Sequence, residues 1–321
     1  MGFPYEIIST PPAYLKKALV CSQEAGRSHD PVTISFGPHR LQHCVLWEPD
    51  VVTHDVPVMY FHGGGYLVGT PESMIDAANV YNSQGYRFCS VGFRLMPRHP
   101  FPAQVDDAFS GIAAALQWLE DNKRPAQRFV VGGSSCGGHL AMLVGYGSWL
   151  QRKYHLDASR VAGVVSVAGI THVDDMLLKP IPPFFWKNYI ALPTNGSGKN
   201  ARHKALVPYS PYDLLDDLPD TSPQLNANTD LNNASIPPFF AIHGRFDKTS
   251  PYRHEAAFGH KLKQVAGDDA ACLYTVEQKT WQHMWTTVTL HKDPVSKSAP
   301  LASLFLWLSS LDEPCASELR N

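Results

Sequence analysis

Short apolar runs and longer amphipathic stretches alternate along most of this chain. Val32–Phe36 and Gln42–Trp47 are strand-like and separated by Gly37-Pro38, a turn signal, which predicts an antiparallel pair at a sheet edge. Pro57–Phe61, Arg87–Arg94, Phe129–Val131, Val161–Ala168, Pro238–Gly244 and Cys272–Val276 are short, mainly apolar runs without strict alternation, as expected of strands covered on both faces. Between them lie helical patterns. Val105, Phe109, Ile112, Ala113, Leu116 and Leu119 recur at helical spacing over Ala103–Glu120. Further helices are predicted at Pro12–Ala25, Gly137–Tyr154, Tyr252–Val265 and Leu301–Leu311. Strands alternating with amphipathic helices predict an α/β fold with a mostly parallel sheet and helices on both faces. The rhythm stops at about residues 171–236, where Pro180-Ile181-Pro182-Pro183-Phe184-Phe185-Trp186-Lys187-Asn188-Tyr189 is followed by Pro, Asn and Asp clusters. We read 1–321 as a single domain with a cap or large loop inserted there.

Composition narrows the functional classes. The formal net charge of −2 offers no basic surface for nucleic acid or anionic lipid. No apolar run reaches the roughly 18 residues of a spanning helix. The first residues lack a basic segment followed by an apolar one, so a cytoplasmic protein is expected. The six cysteines (21, 44, 89, 136, 272 and 315) form no C-x-x-C pair and are expected to be free buried thiols. The histidines show no metal-ligand spacing.

Two short motifs carry chemistry. Phe129-Val130-Val131 runs into Gly132-Gly133-Ser134-Ser135-Cys136-Gly137-Gly138, and a helix-forming stretch follows. Gly133-Ser134-Ser135-Cys136-Gly137 fits G-x-S-x-G, the strand–turn–helix pattern that presents a nucleophile. The register selects Ser135, because centring on Ser134 would put Cys136 where a glycine is needed. Upstream, the strand Pro57–Phe61 ends in His62-Gly63-Gly64-Gly65. Consecutive glycines leave backbone N–H groups free to point at a ligand, as an oxyanion site requires.

With these motifs the chain resembles the α/β-hydrolases, and among them the hormone-sensitive-lipase-like esterases. The resemblance rests on His62–Gly65, on Phe93-Arg94-Leu95-Met96-Pro97 with Phe101-Pro102-Ala103 and Asp106-Asp107, on Gly133–Gly138, and on Asp247 followed by His283. It spans about Pro57 to His283. It implies a serine carboxylesterase acting through an acyl-enzyme, with no cofactor and a small-molecule ester as its partner. Ser135, Asp247 and His283 would be the catalytic residues, in the Ser…acid…His order of that fold. The N–H groups of Gly63, Gly64 and Cys136 would form the oxyanion hole. Phe184, Phe185, Trp186 and Tyr189 would contact substrate, which suits small to medium acyl esters and aryl or hydroxycinnamoyl ones. His243 and His62 are read as structural. Ser134 stands where the family has an acid, Cys136 where it often has Ala, and Met96 and Arg98 where it has Ala and Glu. The same residues would serve amide cleavage of arylformamidase or peptidase type. A non-catalytic binding protein on this fold is the reading from another class, and an intact Ser, Asp and His set argues against it.

Overall fold

A computed structural model of the chain describes residues 30–172, 192, 199–218, 236–277, 283, 295 and 298–311. The predicted helix at 12–25 and the aromatic run at 180–189 lie outside them. The strands are β1 (Val32–Ser35), β2 (His43–Trp47), β3 (Val58–Phe61), β4 (Phe88–Val91), β5 (Phe129–Ser134), β6 (Val161–Val167), β7 (Phe239–Gly244) and β8 (Ala271–Val276). They form one sheet in the order β1-β2-β4-β3-β5-β6-β7-β8. The β1–β2 and β2–β4 pairs are antiparallel, and the rest of the sheet is parallel. The expected antiparallel pair therefore does form one edge.

Alternation along the strands divides the apolar residues between two cores. Met59, Phe61 and Val131 face α2 (Ala103–Asp121), α3 (Cys136–Tyr146) and α7 (Tyr252–Ala266). Val58, Tyr60 and Val130 face α1 (Ile75–Ser83) and α8 (Ala299–Ser309). Four details differ from the sequence reading. Helix α1, between β3 and β4, is not among the predicted helices. The helix expected over 137–154 is two helices, α3 and α4 (Ser148–Lys153), because Gly147 leaves helical geometry at φ −81°, ψ 76°. On α2 the buried stripe runs through Ala108, Gly111 and Ala115, while Ala113 faces solvent. Cys44, Cys89 and Cys136 are buried thiols, but Cys272 is exposed on the edge strand β8.

From β3 the chain moves to β4 on one side and then crosses back to β5 on the other. The carboxyl ends of β3 and β5 flank that reversal, the usual place for a ligand cleft in an open α/β sheet. Two polar contacts hold the surrounding loops. Asp107 of α2 is buried and accepts the Arg94 backbone N–H at 2.7 Å, the Arg94 guanidinium at 2.8 Å and the Gln42 amide at 2.8 Å. This ties the loop after β4 to α2 and to the β1–β2 turn. His139 of α3 is also buried. Its Nε2–H donates to Tyr209 O at 2.7 Å, and the Tyr66 hydroxyl meets its Nδ1. Residues 199–218 contain α5 (Lys199–Leu206) and α6 (Pro211–Leu214), and Leu206, Tyr209, Leu214 and Leu215 belong to the main core.

Asp107→Ala should lower the unfolding free energy by about 2 kcal/mol, because it leaves the half-buried Arg94 guanidinium, the Arg94 N–H and the Gln42 amide without their acceptor; urea titration would measure this. Burial lowers the pKa of His139 from 6.5 to about 4, against the opposing hydrogen bond to Tyr209 O. The unfolded chain therefore takes up this proton first. The contribution is fully present above pH 6.5 and is lost as pH falls toward about 4. His139→Gln, which keeps a donor and an acceptor, should make the dependence of unfolding free energy on pH shallower by about one proton over that interval.

Candidate active site

The junction of β5 and α3 sets the geometry. Ser135 sits between them at φ 55°, ψ −119°, a conformation that costs a non-glycine residue of order 1–3 kcal/mol. The backbone clamps it. Ser135 N–H donates to Val167 O of β6 at 2.9 Å, and Ser135 O accepts from His139 N–H at 3.1 Å. The glycines two places either side are steric necessities. A Cβ on Gly133 would lie 2.2 Å from the carbonyl carbon of Gly137, and a Cβ on Gly137 would lie 2.2 Å from Phe61 O.

Opposite Ser135 stands His283, with Nε2 2.9 Å from Ser135 Oγ and Nδ1 2.7 Å from Asp247 Oδ2. Asp247 follows β7, and its other oxygen accepts the N–H groups of Thr249 at 2.8 Å and Ser250 at 3.0 Å. All three side chains are buried. Burial alone would raise the pKa of Asp247, but the facing His283 and His243 hold it well below the usual carboxylate range. The structure thus brings together Ser135, His283 and Asp247 from three distant parts of the chain. Of the acids in the 199–218 segment, Asp213 and Asp217 are not hydrogen-bonded to His283, and Asp216 pairs with Lys261 at 2.7 Å.

The glycine loop after β3 lies against the serine. A Cβ on Gly63 would come within 3.2 Å of Ser134 O and 3.5 Å of Ser135 Cβ. Gly64 has φ +117°, and a Cβ there would strike Val68 O at 2.1 Å. Among the described residues, the N–H groups of Gly63, Gly64 and Cys136 donate to no backbone carbonyl. Two of these residues adjoin Ser135, Cys136 in sequence and Gly63 in space. Tyr66 joins this loop to α3: its N–H reaches Cys136 Sγ at 3.3 Å, and its hydroxyl lies 3.1 Å from Cys136 O and against His139 Nδ1. His62 is buried and stacks on Phe93 at 4.2 Å, and its Nδ1–H donates to Gly63 O at 2.7 Å. Burial lowers its pKa to about 4, which keeps it a neutral brace for the loop.

The unusual residues of the elbow all find partners. Ser134 Oγ bonds Tyr60 OH at 2.7 Å. The Cys136 thiol receives Tyr66 N–H, and burial pushes its pKa up to about 12, so it stays protonated. Met96 is buried, and its N–H donates to Tyr66 O at 2.8 Å. Phe184, Phe185, Trp186 and Tyr189 lie outside the described residues. Among those residues, no group of three His, Cys, Asp or Glu side chains is placed to hold a metal ion, and no helix is long and apolar enough to cross a membrane.

Sequence reasoning missed the polar shell behind Asp247. His243 of β7 lies with Nε2 3.4 Å from Asp247 Oδ2 and 2.8 Å from Ser250 O, while Nδ1 meets Glu255 Oε2. The spacing of His243 and Asp247 about a strand end was a signal. Glu255, one turn into α7, gave none, because a carboxylate at a helix start ordinarily faces water.

Residues 58–273 match the family model described as the alpha/beta hydrolase fold. Among curated proteins, the chain is 35% identical over 107 residues to carboxylesterase NlhH of Mycobacterium tuberculosis, covering 31% of this chain and 32% of that protein. It is 32% identical over 151 residues to versiconal hemiacetal acetate esterase of Aspergillus parasiticus, covering 46% and 44%. These alignments span between about a third and under half of the relatives' lengths. Among solved structures, esterase B from Lactobacillus rhamnosis superposes with a TM-score of 0.67 over 96% of both chains at 18% identity, a likeness of fold. The family match covers most of the described sheet and both glycine motifs, and the chain belongs to the α/β-hydrolase fold family, in its hormone-sensitive-lipase-like group.

Proposed function

We propose that this protein is a serine carboxylesterase. The observation that carries the reading is His283 bridging Ser135 Oγ at 2.9 Å and Asp247 Oδ2 at 2.7 Å. In this mechanism His283 Nε2 takes the Ser135 proton as Oγ attacks an ester carbonyl. The tetrahedral intermediate collapses when His283 returns the proton to the departing alcohol, leaving an acyl-Ser135. Water, activated by His283 in the same way, then releases the acid and regenerates the serine. Asp247 fixes the imidazole so that Nε2 is the acceptor and steadies the imidazolium. The N–H groups of Gly63, Gly64 and Cys136 receive the oxyanion, each such donor being worth about 3–4 kcal/mol in enzymes of this kind.

The relatives' names, a carboxylesterase and an acetate esterase, support a small acyl group. The substrate class is therefore small to medium acyl esters. The aromatic run Phe184, Phe185, Trp186 and Tyr189 in the sequence supports an aryl or hydroxycinnamoyl moiety.

Hydrolysis of p-nitrophenyl acetate, butyrate and octanoate and of a feruloyl ester, by wild type and Ser135→Ala, tests this reading. Wild type should turn over the shorter p-nitrophenyl esters, and the variant should lose about 10⁴-fold or more in kcat at unchanged fold. A folded wild type that hydrolyses none of the four, or a Ser135→Ala variant that retains activity, would overturn it.

A further inference from the structure

Behind Asp247 a second histidine sits in a setting that accepts protons on every side. His243 is fully buried. Its Nδ1 faces Glu255 Oε2 of α7. Its Nε2 faces the carbonyl oxygen of Ser250 at 2.8 Å and Asp247 Oδ2 at 3.4 Å. A neutral imidazole has one N–H and one lone pair, so in either tautomer the lone pair would point at an acceptor. The Glu255 carboxylate is itself held in place, its other oxygen, Oε1, receiving the Ser166 hydroxyl proton from β6, and Ser166 Oγ in turn accepts Gly169 N–H at 3.2 Å. The remaining neighbours add no opposing charge. The Tyr252 ring meets His243 edge-on at 5.8 Å, with its hydroxyl bonded to Thr275 Oγ1 at 3.0 Å. The other titratable group of the cluster is His283, across Asp247.

We propose that His243 is a permanently protonated positioning residue, held by Glu255 and Ser166, that anchors the Asp247 carboxylate and offsets part of its charge toward His283. Burial opposes the charged ring, but the Glu255 and Asp247 carboxylates outweigh it and raise its pKa to about 10. The anchoring is geometric as well as electrostatic. Asp247 Oδ1 is fixed by two backbone N–H groups and Oδ2 lies between two imidazoles, so the carboxylate has one orientation. Ser250 ties the turn down further, its Oγ–H donating to Gly169 O at 2.7 Å. The inference rests on the serine-hydrolase reading.

Two measurements test it. In wild type, long-range ¹H–¹⁵N spectra with His243 assigned from the backbone should show both of its ring nitrogens protonated throughout pH 6–9. In His243→Gln, Asp247's charge acts undiminished on the base. The acidic limb of the kcat/KM profile for p-nitrophenyl acetate should then move up by about one pH unit. Loosened positioning should lower kcat about tenfold with KM changed less than twofold. A neutral-ring spectrum for His243 at pH 7 overturns the proposal whether or not the variant folds. An unmoved acidic limb in a folded variant also overturns it, since a merely structural role would change stability alone. A wild type whose Ser135 resists a fluorophosphonate would instead sink the hydrolase reading, and the wild-type spectrum would still decide the state of His243.

Discussion

The turn at Ser135 is the constraint on which the rest of the site depends. A serine at φ 55° persists only if its surroundings leave no alternative, and here they do not. Val167 O holds its N–H, and Gly133 and Gly137 let strand and helix approach to distances that any Cβ would prevent. Because β5 is central and both its neighbours, β3 and β6, run parallel to it, the turn is held by strands on either side. The same close approach places Gly63 against Ser134 and Ser135. The donors of the proposed oxyanion site are therefore located by packing between two strand ends.

This is also why so much was legible in the sequence. Steric demands leave glycines, and glycines at fixed spacing can be read. Gly133, Gly137 and the run Gly63-Gly64-Gly65 stand where the backbone needs room, and the apolar runs between them marked the strands. Asp247 and His283 were legible through their position after strands and through family resemblance. Packing choices left weaker traces. The break at Gly147 looked like the interior of one apolar helix, since Leu143, Val144 and Leu150 are buried on both sides of it. Ala113 is an alanine that suits either face of α2, so its outward position could not be read from spacing. The Glu255–His243 pair was illegible for another reason. Its meaning arises from α7 folding back onto β7, a tertiary contact that helical periodicity does not encode.

The residues that depart from the family pattern show how one site absorbs substitutions. Where relatives place an acid before the nucleophile, Ser134 pairs with the Tyr60 phenol across adjacent strands. A neutral hydroxyl pair needs no counter-ion, so the cluster behind Asp247 carries the ionic part of the site without competition from this side. Cys136 contributes its backbone N–H to the proposed oxyanion site, while its thiol accepts the Tyr66 N–H and donates to His62 O at 3.9 Å. A buried thiol held neutral at ordinary pH is a packing group, and its high pKa separates it from the role proposed for Ser135 beside it.

The charges of the buried cluster follow a sequence suited to the proposed reaction. In the resting state Asp247 and Glu255 are carboxylates and His243 is an imidazolium, so with His283 neutral the group carries one net negative charge. When His283 accepts the Ser135 proton, that charge is cancelled, and the negative charge now resides on the oxyanion among the N–H groups of the glycine loop. The transfer moves charge from a site ringed by anions to a site ringed by donors, and neither set of groups has to reorganise. Without the imidazolium, the full charge of Asp247 would fall on His283, and Oδ2 would lose one of the two imidazoles that fix its orientation. A cation between Asp247 and Glu255 removes that outcome, and this gives a buried ion pair far from solvent a reason to exist beyond its contribution to stability.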